Sequence, residues 1–188
     1  MDRKIMQNLV KWKNKAKRKP LIMQGARQVG KTWILKHFGE KHFKRVAYIN
    51  FDNNPRMEEV FKGDFNIQRL LDAFRIETGT RIDAETLLVF DEVQEVPKAI
   101  QSLKYFHEER PELPIAAAGS LLGLAHHSAI SFPVGKVELL DLYPMTFPEF
   151  LQAKEEGDLL STLENCDFEM MKVFKDRYAT LLGQYFFV

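Results

Sequence analysis

Residues Gly25 to Thr32 read Gly-Ala-Arg-Gln-Val-Gly-Lys-Thr, a G-x-x-x-x-G-K-T octet directly behind the apolar run Leu21-Ile22-Met23. A buried strand, a glycine-bearing loop and a helix in that order leave few folds open, because the loop only makes sense at the mouth of an α/β sheet. Gly25 and Gly30 are expected to take backbone angles closed to side chains. The N–H groups of Ala26, Arg27, Gln28 and Val29 then converge on a phosphate, and the helix starting near Lys31 adds its positive end. Lys31 is expected to reach the β- and γ-phosphates, and the Thr32 hydroxyl to ligate Mg²⁺. The plainer reading, a glycine turn that happens to precede Lys-Thr, leaves the preceding strand unexplained. The octet therefore predicts that the chain binds a nucleoside triphosphate.

A second segment narrows the class. Thr86-Leu87-Leu88-Val89-Phe90-Asp91-Glu92 is a short apolar run ending in two acids. Such a run suits a strand buried on both faces of a parallel sheet, with Asp91 emerging at the carboxyl end, where ligands of open α/β sheets collect. Asp91 is expected to complete the Mg²⁺ shell that Thr32 begins. Glu92, one residue on, points elsewhere and suits a general base that polarises an attacking water. An acidic strand end at a solvated turn would look the same in isolation, but not behind an intact phosphate loop. The pair argues for hydrolysis as well as binding.

The interval between the two motifs is filled in order. Residues Thr32 to Phe38 read as a helix with Gly39 near its end. Val46 to Phe51, β-branched and aromatic, reads as a second strand. Pro55 opens a helix running to about Phe61. Ile67, Leu70, Leu71, Phe74 and Ile76 recur at near-helical spacing in a further helix that stops by Gly79. This extra strand–helix unit predicts a sheet in which another strand lies between the loop strand and the Asp91 strand. Pro97 to Glu109 reads as a helix, and Ile115-Ala116-Ala117-Ala118 as a small-residue strand ending in Gly119-Ser120. The Ser120 hydroxyl is expected to face the γ-phosphate and sense its loss, although Gly-Ser alone is also an ordinary turn. Val137 to Leu142 gives a fifth strand, with Lys136 directly before it. The fold expected is an α/β, three-layer P-loop NTPase sandwich on a five-stranded parallel sheet.

The flanks are simpler. Thr146 with Glu149 three residues on is a helix-capping pattern. From Gly157 the chain reads as helical, with Leu159, Leu160, Leu163, Phe168, Met171, Phe174, Tyr178, Leu181 and Leu182 as buried positions. At the other end, Ile5, Leu9, Trp12 and Ala16 fall on one helical stripe, while Lys11, Lys13, Lys15, Lys17, Arg18 and Lys19 crowd the same segment. Two readings stay open there: a docked amphipathic helix with a solvated outer face, or a nucleic-acid or phosphate contact. No sequence-specific DNA-reading motif accompanies the lysines. The division expected is a basic amphipathic helix over residues 1–20, a nucleotide-binding core over 21–150 and a helical segment over 151–188.

Composition sets outer limits. A chain of 188 residues has room for one α/β domain with a sizeable core. Its one cysteine, Cys166, leaves no intrachain disulfide and suits a reducing cytoplasm; no apolar run is long enough to span a bilayer, and the charged N-terminus lacks a signal-peptide core. His37, His42, His107, His126 and His127 lack cysteine partners and zinc-like spacing, so they read as solvated or packed side chains.

With these motifs in hand, the chain resembles the prokaryotic ATPases of the AAA+ superfamily that usually carry a second domain of unknown function at the C-terminus. The resemblance rests on Arg18 through Thr32, on Phe90-Asp91-Glu92-Val93-Gln94 and on Ala118-Gly119-Ser120. It also takes in Phe132-Pro133-Val134-Gly135-Lys136-Val137 and Leu139 through Phe150. It implies an ATPase core and supplies no substrate; the partners expected are a homo-oligomer and an unknown protein substrate. Many relatives carry an arginine before the fifth strand that looks like a trans-acting finger. Lys136 stands there in this chain and brings a point charge without the planar fork that matches phosphate oxygens. Arg110 is the next candidate cation. In relatives the region near Val188 leads into a second domain thought to resemble restriction-endonuclease folds, so the resemblance implies a partial chain here. Two other function classes stay open: a nucleotide-gated switch or binding module with negligible turnover, and a small-molecule kinase. Glu92 and Ser120 count against the kinase. No Asn-Lys-x-Asp guanine-reading run occurs, which favours ATP.

Overall fold

The computed structural model describes residues 3–120 and 133–187; His126, His127 and Phe132 lie outside the described residues. The chain forms two compact units, one over Gln7–Tyr143 and one made of Met1–Met6 with Pro144–Val188.

The larger unit is built on five parallel strands: β1 (Leu21–Gly25), β2 (Arg45–Asn50), β3 (Thr86–Asp91), β4 (Ile115–Ser120) and β5 (Glu138–Asp141). Their order is β2-β3-β4-β1-β5, so β4 separates the loop strand from the Asp91 strand, as the extra strand–helix unit predicts. All six residues of β3 and of β4 are buried, which is why both read as unbroken apolar or small-residue runs. β5 lies at an edge and its burial alternates; it is one residue shorter at each end than expected. Register aligns Gly25 with Ser120 and Asn50 with Asp91, so four chemically distinct strand ends share the carboxyl edge of the sheet.

Helices α1 (Ile5–Lys13), α2 (Lys31–His42), α3 (Pro55–Lys62), α4 (Ile67–Thr78) and α5 (Pro97–Glu109) follow the sequence reading closely. Local chemistry sets their ends. Asn54 accepts from Met57 N at 3.2 Å ahead of Pro55, and Asn66 accepts from Arg69 N at 2.9 Å to start α4. Gly79 closes α4 in the left-handed region, its N–H on Arg75 O. Phenylalanines dominate the core. Phe90 meets Phe51 and Phe74 edge-on, each at 5.4 Å between ring centres, and this packing anchors β3 next to Asp91.

Three expectations are corrected. Gly39 does not end α2: the helix runs on to His42, and a Cβ at 39 would fall 2.5 Å from Val46 Cγ2. The glycine is there for close packing against β2. Ile76 is 86% exposed, on the solvent side of α4. In α1, Leu9 and Trp12 are buried together with Met6, whereas Ala16 lies beyond the helix and is exposed.

The smaller unit holds α6 (Phe147–Ala153), α7 (Gly157–Glu164), α8 (Phe168–Val173) and α9 (Lys175–Tyr185). The capping box forms as the sequence predicts: Thr146 N donates to Glu149 Oε2 at 2.9 Å, and Glu149 N to Thr146 Oγ1 at 3.4 Å. Glu149 also receives the Arg3 guanidinium and Lys4 N. Burial pushes its carboxyl up, but the two N–H groups and Arg3 outweigh that and hold it below the ordinary range. The apolar stripe is only partly a core. Leu159 and Leu181 are buried with Phe150 and Leu151, and Leu160, Leu163 and Tyr178 pack around them. Met171 is half-buried, while Phe168, Phe174 and Leu182 are exposed, Phe168 by 72%.

Candidate active site

β1 delivers the loop. Gly25 is not in the left-handed region, contrary to expectation; it is required because a Cβ there would lie 2.2 Å from Leu142 O. Gly30 does take the left-handed conformation, with φ 90°, and caps α2. Gln28, with φ 63°, supplies a second left-handed turn that no glycine marks in the sequence. Ala26, Arg27 and Gln28 are exposed at the loop tip, and the first N–H groups of α2, those of Lys31 and Thr32 among them, have no intrahelical acceptor. Lys31 is buried and arches over the loop, its ammonium donating to Gly25 O at 3.1 Å and Ala26 O at 2.6 Å. Desolvation lowers its pKa; Glu92 and then Asp91 oppose that, and Arg27 adds to it.

The end of β3 is braced from every side. Thr32 Oγ1 donates to Asp91 Oδ2 at 2.8 Å, Tyr48 Oη donates to the same oxygen at 2.7 Å, and Glu92 N donates to Oδ1 at 3.1 Å. Burial, then the bond to Asp91 and the charges of Asp91 and Glu92, push the Tyr48 phenol well above its usual range, so it stays a donor. The Lys36 ammonium sits 3.6 Å above the Tyr48 ring and fixes it from the other side. A hydroxyl and a carboxylate in contact are the hard oxygen donors that a Mg²⁺ ion takes when it shares its remaining positions with phosphate and water. Thr32 and Asp91 therefore fit such a cation. Among the described residues no group of three or more His, Cys, Asp or Glu can hold a metal, so an all-protein metal cage finds no support there.

Glu92 adopts φ 49° and ψ 43°, a left-handed conformation that costs a glutamate roughly 1–2 kcal/mol. That turn starts a short 3₁₀ segment, Val93–Glu95, whose buried Val93 belongs to the core. The segment brings Gln94 back beside Glu92: Gln94 Nε2 donates to Glu92 Oε2 at 2.6 Å and to Glu95 Oε1 at 3.3 Å. Gln94 Oε1 accepts from Ser120 N at 3.3 Å. Ser120 is thus joined to the acid pair through Gln94 and stands beside Gly25 in the sheet.

Lys136 makes its contact elsewhere, an ion pair with Glu108 of α5 at 2.9 Å. Arg110 pairs with Glu112 at 2.6 Å. In the basic segment, Lys13 donates to His42 O, Lys15 pairs with Glu138, and Arg18 donates to Lys13 O and Glu112 O, while Lys11 and Lys17 are exposed.

Sequence reasoning brought Lys31, Thr32, Asp91, Glu92 and Ser120 to one edge of the sheet but missed two residues. Tyr48 was visible only as one aromatic in an ordinary strand. Gln94 closes the Phe90–Gln94 block, but no spacing rule singles out a glutamine two residues after an acid. A family model described as an AAA domain matches residues 17–151. No curated protein matches the chain.

Proposed function

The chain belongs to the AAA domain family, and on that premise we propose that it is a Mg²⁺-dependent ATPase whose hydrolysis drives a change in a partner. The observation that carries the reading is the contact of Thr32 Oγ1 with Asp91 Oδ2 at 2.8 Å, with Glu92 next in the chain and held separately by Gln94. One acid is committed to the hydroxyl of the phosphate loop, and the other is left for a different task.

On this reading the loop N–H groups from Ala26 to Thr32 and the Lys31 ammonium hold the β- and γ-phosphates. Thr32 and Asp91 hold Mg²⁺, which when bound draws charge from the phosphate oxygens. Glu92 accepts a proton from the attacking water as its oxygen bonds to the γ-phosphorus and the β–γ bridging oxygen leaves with ADP. Ser120 lies at the tip of β4, where loss of the γ-phosphate would be felt. Charge in the transition state calls for a cation, and Lys136 or Arg110 is proposed to supply it to a neighbouring copy, which makes hydrolysis depend on homo-oligomerisation.

A second reading has one observation in its favour. Both candidate cations are tied to acids of their own chain, Lys136 to Glu108 and Arg110 to Glu112. A chain in which they stay so is a nucleotide-gated switch with negligible turnover. Turnover separates the readings: hydrolysis with ATP and Mg²⁺ alone supports the ATPase, tight binding without phosphate release supports the switch, and phosphate transfer only with an added acceptor would contradict both. Repeating the assay with DNA tests whether the segment from Lys11 to Lys19 contacts nucleic acid. Among the described residues no helix is long and apolar enough to cross a membrane.

A further inference from the structure

Gln94 is buried, uncharged and not part of the phosphate loop or the acid pair, yet its amide uses both hydrogens and its oxygen on that site. Its orientation is unambiguous. Ser120 N can only donate, so it must meet the amide oxygen; the carboxylates of Glu92 and Glu95 accept, so they must meet the amide nitrogen. Turning the amide over would set oxygen against oxygen at 2.6 Å and N–H against N–H at 3.3 Å.

The backbone explains why the residue stands there. Glu92 in the left-handed region starts the 3₁₀ turn, Glu95 N closes it on Glu92 O at 3.0 Å, and Val93 pins it in the core. This turn returns Gln94 to within reach of the side chain two residues earlier and of the tip of β4, twenty-six residues later in the chain. Among the charges acting on the Lys31 ammonium the Glu92 carboxylate weighs most, ahead of Asp91. Gln94 therefore braces the carboxylate that directly follows Asp91, the residue that meets Thr32 of the phosphate loop.

We infer that Gln94 is a positioning residue for hydrolysis, which fixes the direction of the Glu92 carboxylate and ties it to the tip of β4 at Ser120. The inference rests on the ATPase reading above and extends it to a residue outside the loop and the acid pair. Glu92 alone, on a strained turn, has several side-chain rotamers open to it; the short bond to Gln94 selects one. Because Ser120 neighbours Gly25 in the sheet, a shift of the β4 tip when the loop changes occupancy is passed to the base through a single amide.

The test is a double-mutant cycle on the full chain, with Gln94→Leu (similar volume, no amide) and Glu92→Gln, reading turnover and Mg·ATP affinity for each. Gln94→Leu is expected to keep ATP affinity within about twofold while turnover falls about tenfold or more. In the Glu92→Gln background the same change is expected to cost nothing further, because there is no carboxylate left to aim. Gln94→Glu, which would set a third carboxylate against Glu92 and Glu95, is expected to lose more turnover than Gln94→Leu. Retained ATP affinity in the variants shows that they fold; a Gln94→Leu chain that loses affinity along with turnover would make the residue merely structural and overturn the inference. So would unchanged turnover, or an equal loss in both backgrounds, while leaving the ATPase reading intact. Wild-type turnover no greater than that of Lys31→Ala would remove the ATPase reading and the inference together.

Discussion

Asp91 and Lys136 are held in opposite ways. Asp91 ends a fully buried strand and accepts from three donors supplied by α2, β2 and its own neighbour. Lys136 precedes an edge strand and rests in one half-exposed ion pair with Glu108. A group that must meet a ligand in its own chain gains from being fixed in advance, since reorganisation is then avoided when the ligand arrives. A group proposed to reach a neighbouring copy has to be able to leave its resting partner. An exposed single pair costs little to break, because water and salt screen it. The contrast separates two kinds of residue by how they are held, before any assay is run.

The comparison breaks most visibly at Lys31. Removing the ammonium takes away the loop's buried side-chain cation, so Lys31→Ala should weaken ATP binding by about 1–3 kcal/mol. Calorimetry that finds unchanged affinity in a folded variant would remove the loop from the account. A smaller effect is expected one layer out. Tyr48→Phe deletes one of the two hydroxyl donors to Asp91 Oδ2, and the Mg²⁺ concentration that half-saturates ATP binding should rise about tenfold, with binding in EDTA unaltered. Equal losses with and without Mg²⁺ would show that Tyr48 supports the fold and not the cation site. The smallest effect belongs to the exposed side: Lys136→Ala should leave the thermal midpoint and ATP affinity unchanged. Its consequence should appear only in turnover that rises with protein concentration. Mixing Lys136→Ala with Glu92→Gln chains should partly restore activity, and specific activity flat over a wide dilution range in a monomeric chain would contradict the trans cation.

Much of this was legible in the sequence where burial is two-sided. β3 and β4 declare themselves because every residue in them is buried, and the strand between β1 and β3 followed from the length of the interval. Legibility fell where one face is wet. Ile76 kept near-helical spacing and is exposed, as is Phe168, because periodicity reports which residues share a face and not whether anything covers it. In the site, the octet and the acid pair carry strong residue-type constraints, so Lys31, Thr32, Asp91 and Glu92 could be named in advance. The need for Gly25 is not local, since Leu142 O, which leaves no room for a Cβ, belongs to the residue after β5, more than a hundred residues away. Tyr48 and Gln94 were missed for the same cause: their partners are brought close by the sheet and by one left-handed turn, which no local pattern records.

The division of labour between the two acids is the core of the account, and Mg·ATP affinity and turnover measured together on Glu92→Gln and Asp91→Asn test it most directly. Glu92→Gln should keep Mg·ATP binding while turnover falls by roughly a hundredfold or more, and Asp91→Asn should weaken binding in Mg²⁺ but not in EDTA. Equal losses of affinity in the two variants would contradict the assignment of one acid to the cation and the other to the water.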